Sequence, residues 1–307
     1  MTDGHVPAAP SGEQFEISFG DQQAVVVEVG AGLRTYSVDG LDVLDGYGLD
    51  DSSSSGRGQV LIPWPNRIKD GSYEFDGHCH QLPLTEPELG NAIHGLVRWE
   101  TWQAAERGPD SVVMKHVVYP RPGYPFTLGL EVEYTLAETG LSVRTTARNL
   151  GAQACPYGAG QHPYLRLGNG TVDSLELRAP GRRVLPHDER DLPLGSEPVD
   201  GTEFDFRAGR VIGTTKLDNA FTDLERGEDG RARVELGHSD GGRLTLWVDD
   251  GYEYLMLFTG DTRPDVSRRS VAVEPMTCPP NAFRSGESLI RLEPGRSTTA
   301  TWGITRA

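Results

Sequence analysis

Residues 126–150 read FTLGLEVEYTLAETGLSVRTTARNL, and this stretch decides the fold. Leu128, Leu130, Val132, Tyr134 and Leu136 take alternate positions, with Glu131, Glu133 and Thr135 between them. Successive side chains of a strand point to opposite faces, so this spacing lays one apolar face on a core and one polar face toward water. After a turn around 138–140, Leu141, Val143 and Thr145 resume the alternation, which predicts a long antiparallel hairpin in one sheet.

Working outward, similar short runs appear at QAVVVEV (23–29), LRTYSVD (33–39), GSYEFDG (71–77), SVVMKHVVY (111–119), ARVELG (232–237), RLTLWVD (243–249), EYLMLFT (253–259) and TTATWGI (298–304). The segment 238–258 repeats the hairpin logic, with turns expected at Gly241-Gly242 and at 249–251. The 38 Gly and 21 Pro residues supply the turns between strands, and helical periodicity is hard to find. No linker or repeat interrupts the pattern. The expectation is an all-β chain: a flexible tail at 1–14, then a single large antiparallel β-sandwich domain over 15–307. The stretch 178–213, rich in Pro, Asp and Arg, reads as an excursion over the surface.

Composition narrows the partners. With 29 Lys+Arg against 45 Asp+Glu the formal net charge is −16, which argues against nucleic acid or an anionic membrane as partner and leaves a neutral small molecule easy to accommodate. No apolar run reaches transmembrane length, and the N-terminal text lacks the basic start and apolar run of a signal peptide. Cys79, Cys155 and Cys278 are widely spaced without a CxxC pair, so neither a disulfide framework nor a cysteine zinc site is expected, and a reducing cytoplasm is the simplest location.

Five polar residues stand out against this background. In VAVEPMT a carboxylate, Glu274, closes an apolar run and is followed by Pro275, which confines it to extended geometry and should stop or bulge the pairing there. His162 precedes Pro163 in the same manner. His94 precedes Gly95, Arg67 follows two prolines in an apolar segment, and Asp218 sits in an Asp-Asn pair before apolar residues. Singly, each has a plain structural alternative: a solvated strand-end Glu, a hydrogen-bonded His, a loop-capping Arg, an ordinary Asx turn. Together they fit one task. A sugar hemiacetal opens when a base takes the anomeric hydroxyl proton while an acid protonates the ring oxygen, and a carboxylate with an imidazole supply that pair. Arg, Asp and a second His would hold the surrounding hydroxyls, with no metal or organic cofactor required. Their unperturbed pKa values, about 4.3 and 6.5, predict a bell-shaped pH profile. His78 and His80 lie on one strand face and could instead chelate a metal, or face water. Phosphate-loop, dinucleotide and nucleophile-elbow motifs are missing from the sequence.

Five segments carry a family resemblance: PNRI (65–68), NAIHGLVR (91–98), GQHPYLRLG (160–168), LDNAF (217–221) and VEPMTCPPNAF (273–283). In this order they resemble the aldose 1-epimerase (galactose mutarotase) family, over about residues 25–303. The resemblance implies a β-supersandwich with the sugar in an open cleft on one sheet, Glu274 as catalytic base, His162 as catalytic acid, and Arg67, His94 and Asp218 as sugar-binding residues. It implies a cofactor-independent isomerase with a free sugar as partner, expected as a monomer or homodimer. NAIHGLVR and LDNAF depart from the galactose-specific pattern, and EPMTCPPNAF is similar to a subgroup whose sugars include glucose and a sulfonated relative. Arg67, Arg98, Arg166 and Lys216 lie in or beside the motifs and could meet an anionic sugar. Trp64, Trp99 and Tyr164 are candidates for stacking on the ring, or for the core. The rival classes are a carbohydrate-binding sandwich without turnover, which would not need an acid and a base on opposite sides of the ring, and a glycoside-processing enzyme, which needs a second well-placed carboxylate.

Overall fold

The 126–150 stretch forms the expected hairpin: strands Leu128–Ala137 and Gly140–Asn149 pair in unbroken register from Leu128 opposite Asn149 to Ala137 opposite Gly140. Leu128, Leu130, Val132, Tyr134 and Leu136 are all buried, as the alternation requires. The computed structural model describes residues 8–238 and 241–306. The hairpin lies inside a nine-stranded sheet that continues through Ser297–Arg306 to Gly241–Val248 and Ala232–His238 on one side, and to Ser111–Val118 and Gln103–Arg107 on the other. A second, eight-stranded sheet contains Gly181–Leu185, Asp218–Leu224, Tyr254–Phe258 and Val271–Met276 in adjacent positions, flanked by shorter strands. Among the described residues every strand pair is antiparallel. Phe221, Leu255, Leu257, Val271 and Val273 from the second sheet join Val132, Tyr134, Leu246 and Trp302 from the first in one buried cluster. Burying each such side chain contributes roughly 1.5–3 kcal/mol. A four-stranded sheet, Gln14–Phe19 to Leu41–Asp42, covers one side. Among the described residues the only α-helix is the single turn Ala282–Ser285, and no helix is long and apolar enough to cross a membrane.

Four sequence expectations are corrected. The 249–251 turn does not close a hairpin. Strand Gly241–Val248 pairs in the nine-stranded sheet and Tyr254–Phe258 in the eight-stranded one, so the chain crosses between layers. Asp249 fixes that crossover by accepting the N–H groups of Gly251 (3.0 Å) and Thr301 (2.8 Å). Gly241 and Gly242 belong to the strand, with Gly241 paired to His238; residues 239–240 between them lie outside the described residues. Of the expected tail, residues 1–7 lie outside the described residues, but Ser11 is buried and its carbonyl accepts the Val29 N–H at 3.1 Å, so packing starts before residue 15. The 178–213 excursion is only partly superficial. It contributes strand Gly181–Leu185 and buries Val184, Leu192, Val199 and Phe206.

Candidate active site

Sheet register assembles the polar residues. Asp218 lies opposite Phe258, Met256 opposite Glu274, and Tyr164 opposite Ala272. Alternation turns these side chains away from the core that receives Val271 and Val273, into a cleft of ≈ 270 Å³. Arg67, His94, His162, Asp218 and Glu274 all line it.

Pro275 does not end its strand, contrary to the expectation; pairing with Tyr254–Phe258 continues through Leu255 opposite Pro275 and Tyr254 opposite Met276. The interruption falls on the other edge. Val273 donates its N–H to Pro163 O (3.0 Å) and Thr277 to Ala159 O (2.9 Å), whereas Pro275 has no N–H to offer between them. That partner strand is split accordingly into Gly160–Gln161 and Tyr164–Leu165. His162 stands in the break, its N–H donated to Gln59 O at 3.1 Å. The two proline-pinned side chains therefore meet, with His162 Nε2 3.3 Å from Glu274 Oε1. They are neighbours in contact, not groups on opposite sides of a ring.

The imidazole is clamped. Tyr164 stacks on it face to face, with centroids 4.9 Å apart and planes 7° from parallel, and donates its hydroxyl to Ser55 O at 2.7 Å. Gly56, at φ +78°, lies against its Cδ2–Nε2 edge so closely that a Cβ there would sit 2.5 Å from Cδ2. Only glycine fits both the backbone and the space. Glu274 is 2 % exposed and His162 5 %. Burial disfavours charge on each: it pushes the His162 pKa down to about 3 and raises that of Glu274 well above the carboxylate range, with Asp218 adding to the latter. Both shifts favour the neutral forms, so the window expected from unperturbed values does not apply. Among the described residues, Glu274 Oε2 has no hydrogen-bond partner although it is buried.

Beside this pair stands a charged wall. Arg67 leads strand Arg67–Lys69, paired with Asn91–Ile93. Its Nε and Nη2 each donate 2.8 Å bonds to the two oxygens of Glu86, and Nη2 also reaches Asp191 Oδ2 at 3.1 Å. Asn91 Nδ2 steadies Glu86 at 3.0 Å. His94 adopts φ +62°, donates its N–H to Asn66 O, and presents its ring edge-on to His162 at 5.4 Å. Burial, then the neighbouring His162, hold its pKa well below the usual value. Asp218 is raised to about 6, mainly by burial and against the pull of Arg67.

Sequence reasoning missed Glu86, Asp191 and Gly56. The two carboxylates sit in ordinary turn text, TEPELG and ERDLP, and nothing local marks them. A glycine at the end of a serine run was the one available signal for Gly56. Other candidates are relocated. Trp64 is buried edge-on against Phe283, so it belongs to the core. Trp99 lines the cleft, exposed, with the Arg98 guanidinium 5.7 Å from its ring centroid. Tyr164 stacks on His162 itself. Arg166 turns to Asp45 (3.7 Å), and neither it nor Lys216 lines the cleft. His78 and His80 lie on strand His78–Gln81, outside the cleft; His80 packs on Tyr73 at 4.9 Å because the strand folds its inner face onto aromatics. Among the described residues no three His, Cys, Asp or Glu side chains converge as a metal set.

Comparison with known proteins identifies the family. The family model described as aldose 1-epimerase matches residues 13–305. The protein named "Uncharacterized protein YihR" from Escherichia coli K12 is 36 % identical over 287 residues, covering 93 % of this chain and 91 % of its own. Aldose 1-epimerase from the same organism is 28 % identical over 214 residues, covering 67 % of this chain and 61 % of its own. A crystal structure of a GalM/aldose epimerase homologue from C. elegans superimposes with a TM-score of 0.86 at 18 % identity, covering 96 % of this chain and 98 % of that one. The fold is that of the C. elegans homologue, and the family match over nearly the whole chain carries the conclusion: this chain belongs to the aldose 1-epimerase family.

Proposed function

We propose that the protein is a mutarotase, interconverting the α and β anomers of a free hexose without a cofactor. The observation that carries the reading is the 3.3 Å contact between His162 Nε2 and Glu274 Oε1 on a polar cleft floor, with Glu274 Oε2 free to accept a proton. O1 and O5 of a pyranose share C1, so a contacting base and acid can address both at once. Glu274 takes the O1 proton while His162 gives its proton to O5; the C1–O5 bond breaks and C1=O1 forms. Rotation about C1–C2 presents the other carbonyl face, and the same transfers in reverse close the ring. The pair's proton moves from imidazole to carboxyl and back, so the site returns unchanged. Burial favours the neutral couple reached after opening, and direct contact lets the proton pass to His162 before the next cycle. Arg67, His94 and Asp218 hold the remaining hydroxyls. Anomer exchange followed by polarimetry or NMR on several free hexoses tests this directly. A protein that binds these sugars without speeding their exchange would instead be a non-catalytic carbohydrate-binding sandwich.

A second reading concerns the sugar. Arg98 and Arg263 line the cleft, and among the described residues neither has a carboxylate within ion-pair distance. Unpaired guanidinium groups at a binding cleft favour an anionic substituent, such as a sulfonate or phosphate, on the hexose. The check is kcat/KM for a sulfonated or phosphorylated hexose against its neutral parent, in wild type and Arg98→Ala, at two salt concentrations. Equal values in both proteins would exclude an anion-selective site.

A further inference from the structure

The turn between His187 and Pro193 brings a carboxylate to the cleft that the motifs do not contain. Asp188 Oδ1 accepts the N–H groups of Arg190 (2.8 Å) and Leu192 (3.0 Å), and the Asp191 N–H donates to Asp188 O (3.0 Å). Arg190 fastens this turn to the neighbouring loop, donating to Leu89 O, Gly90 O and Asp70 Oδ1, each at 2.8 Å. Asn91 Nδ2 donates to Arg190 O at 3.0 Å from the other side. The result is a rigid Asp191 at φ +56°, its Oδ2 3.1 Å from Arg67 Nη2 and its Oδ1 3.3 Å from His187 Nδ1. It lines both the main cleft and a small side recess shared with Arg67, Asp218 and Met256.

Neutralising Arg67 does not explain this construction. Glu86 already binds that guanidinium through two parallel hydrogen bonds, the strongest arrangement available to it. A second carboxylate, with Asp218 close by, leaves this wall with an excess of acceptors, which suits ligand hydroxyl groups. Position supports the same use. Asp218 and Glu274 lie two strands apart in the sheet, about 10 Å by strand spacing, so a hexose with C1 at Glu274 extends its far carbons toward Asp218 and Arg67.

We propose that Asp191 is a specificity-determining residue: with Asp218 it flanks Arg67 and accepts hexose hydroxyls on the carbons far from C1. This rests on the mutarotase reading. The test measures kcat and KM by polarimetry, and binding by calorimetry, for glucose, galactose, mannose and their deoxy analogues. The proteins are wild type, Asp191→Ala, Asp191→Asn and Arg190→Ala, with Asp191→Ala also placed on a Glu274→Gln background. For the preferred hexose Asp191→Ala raises KM about 10- to 100-fold, the size of a lost charged hydrogen bond, while kcat stays within about threefold. Its preference among epimers collapses. Asp191→Asn, which keeps an acceptor, retains part of the preference, and Arg190→Ala, which only frees the turn, shifts it in the same direction. An unchanged KM, or an equal loss for every sugar and deoxy analogue, overturns the proposal. Full turnover by Glu274→Gln would remove Glu274 as the base, and hexose binding without anomer exchange by the wild type would sink the mutarotase reading, while binding on the Glu274→Gln background still reports on Asp191. Absence of any hexose binding would remove both.

Discussion

The two large sheets solve opposite problems with the same residue alphabet. Among the described residues the nine-stranded sheet contains three ten-residue strands, Leu128–Ala137, Gly140–Asn149 and Ser297–Arg306, and none of its strands lines the cleft. The eight-stranded sheet is built from pieces of two to seven residues, and both members of the proposed acid-base pair come from it or from its breaks. Continuous pairing satisfies the backbone and buries one face, but it leaves no gap in which two polar side chains can meet below the surface. A missing N–H at Pro275 and the split beside it create such a gap. Regularity supplies stability here, and interruption brings two titratable side chains into contact.

That contrast predicts which changes affect activity and which affect folding. The largest effect is expected from Glu274→Gln, which keeps shape but removes the proton acceptor: kcat falls about 100-fold or more, with an unchanged circular dichroism spectrum. Near-wild-type exchange by the folded variant would break the comparison. His162→Asn is expected to lower kcat similarly, whereas Arg67→Ala raises KM as well; identical profiles for the two would dissolve the separation of proton donor from anchor. Gly56→Ala tests the clamp. Its Cβ would meet His162 Cδ2 at 2.5 Å, so the ring must shift, and a kcat loss of about tenfold is expected with little change in KM. On the other sheet, Leu246→Ala removes a buried side chain and lowers stability by about 2–5 kcal/mol in urea unfolding, yet kcat at 25 °C stays at the wild-type value. A specific kcat change there would show that the sheets are not so divided.

The smallest effects concern pH. Because burial pushes the His162 pKa down to about 3 and raises that of Glu274, kcat should lack the acid bell between about 4.3 and 6.5 that unperturbed groups would give. Asp218 gives a stability signature. Its folded pKa, raised to about 6, exceeds the unfolded 3.8, so the folded state holds a proton that the unfolded state has lost between those values. Stability therefore falls as pH rises from about 4 to 6 and stays lower above. Asp218→Asn should remove that slope and be more stable at pH 7 by about 1–3 kcal/mol, less for partial exposure, with the difference vanishing below pH 4.

How much of this was legible follows the same division. Strict alternation in 128–136 is a local signal, and it predicted the hairpin and its buried face. Glu274 and His162 were visible because proline beside a titratable residue is a local oddity. The crossover at 249–251 was not visible, since a turn looks the same whether its strands pair with each other or enter different layers. Asp191 was hidden for a related reason: its role depends on Arg190 reaching a loop about a hundred positions away, and sequence proximity carries no trace of that.

The parallel stack of Tyr164 on His162 has a use beyond posture. An aromatic ring held face to face above an imidazole shields its protons magnetically, so the His162 resonances should be displaced upfield from those of the other histidines. The clamp that fixes the His162 ring would thereby make it its own spectroscopic reporter, allowing the protonation of the buried couple to be followed by solution NMR as sugar is added, without any introduced label.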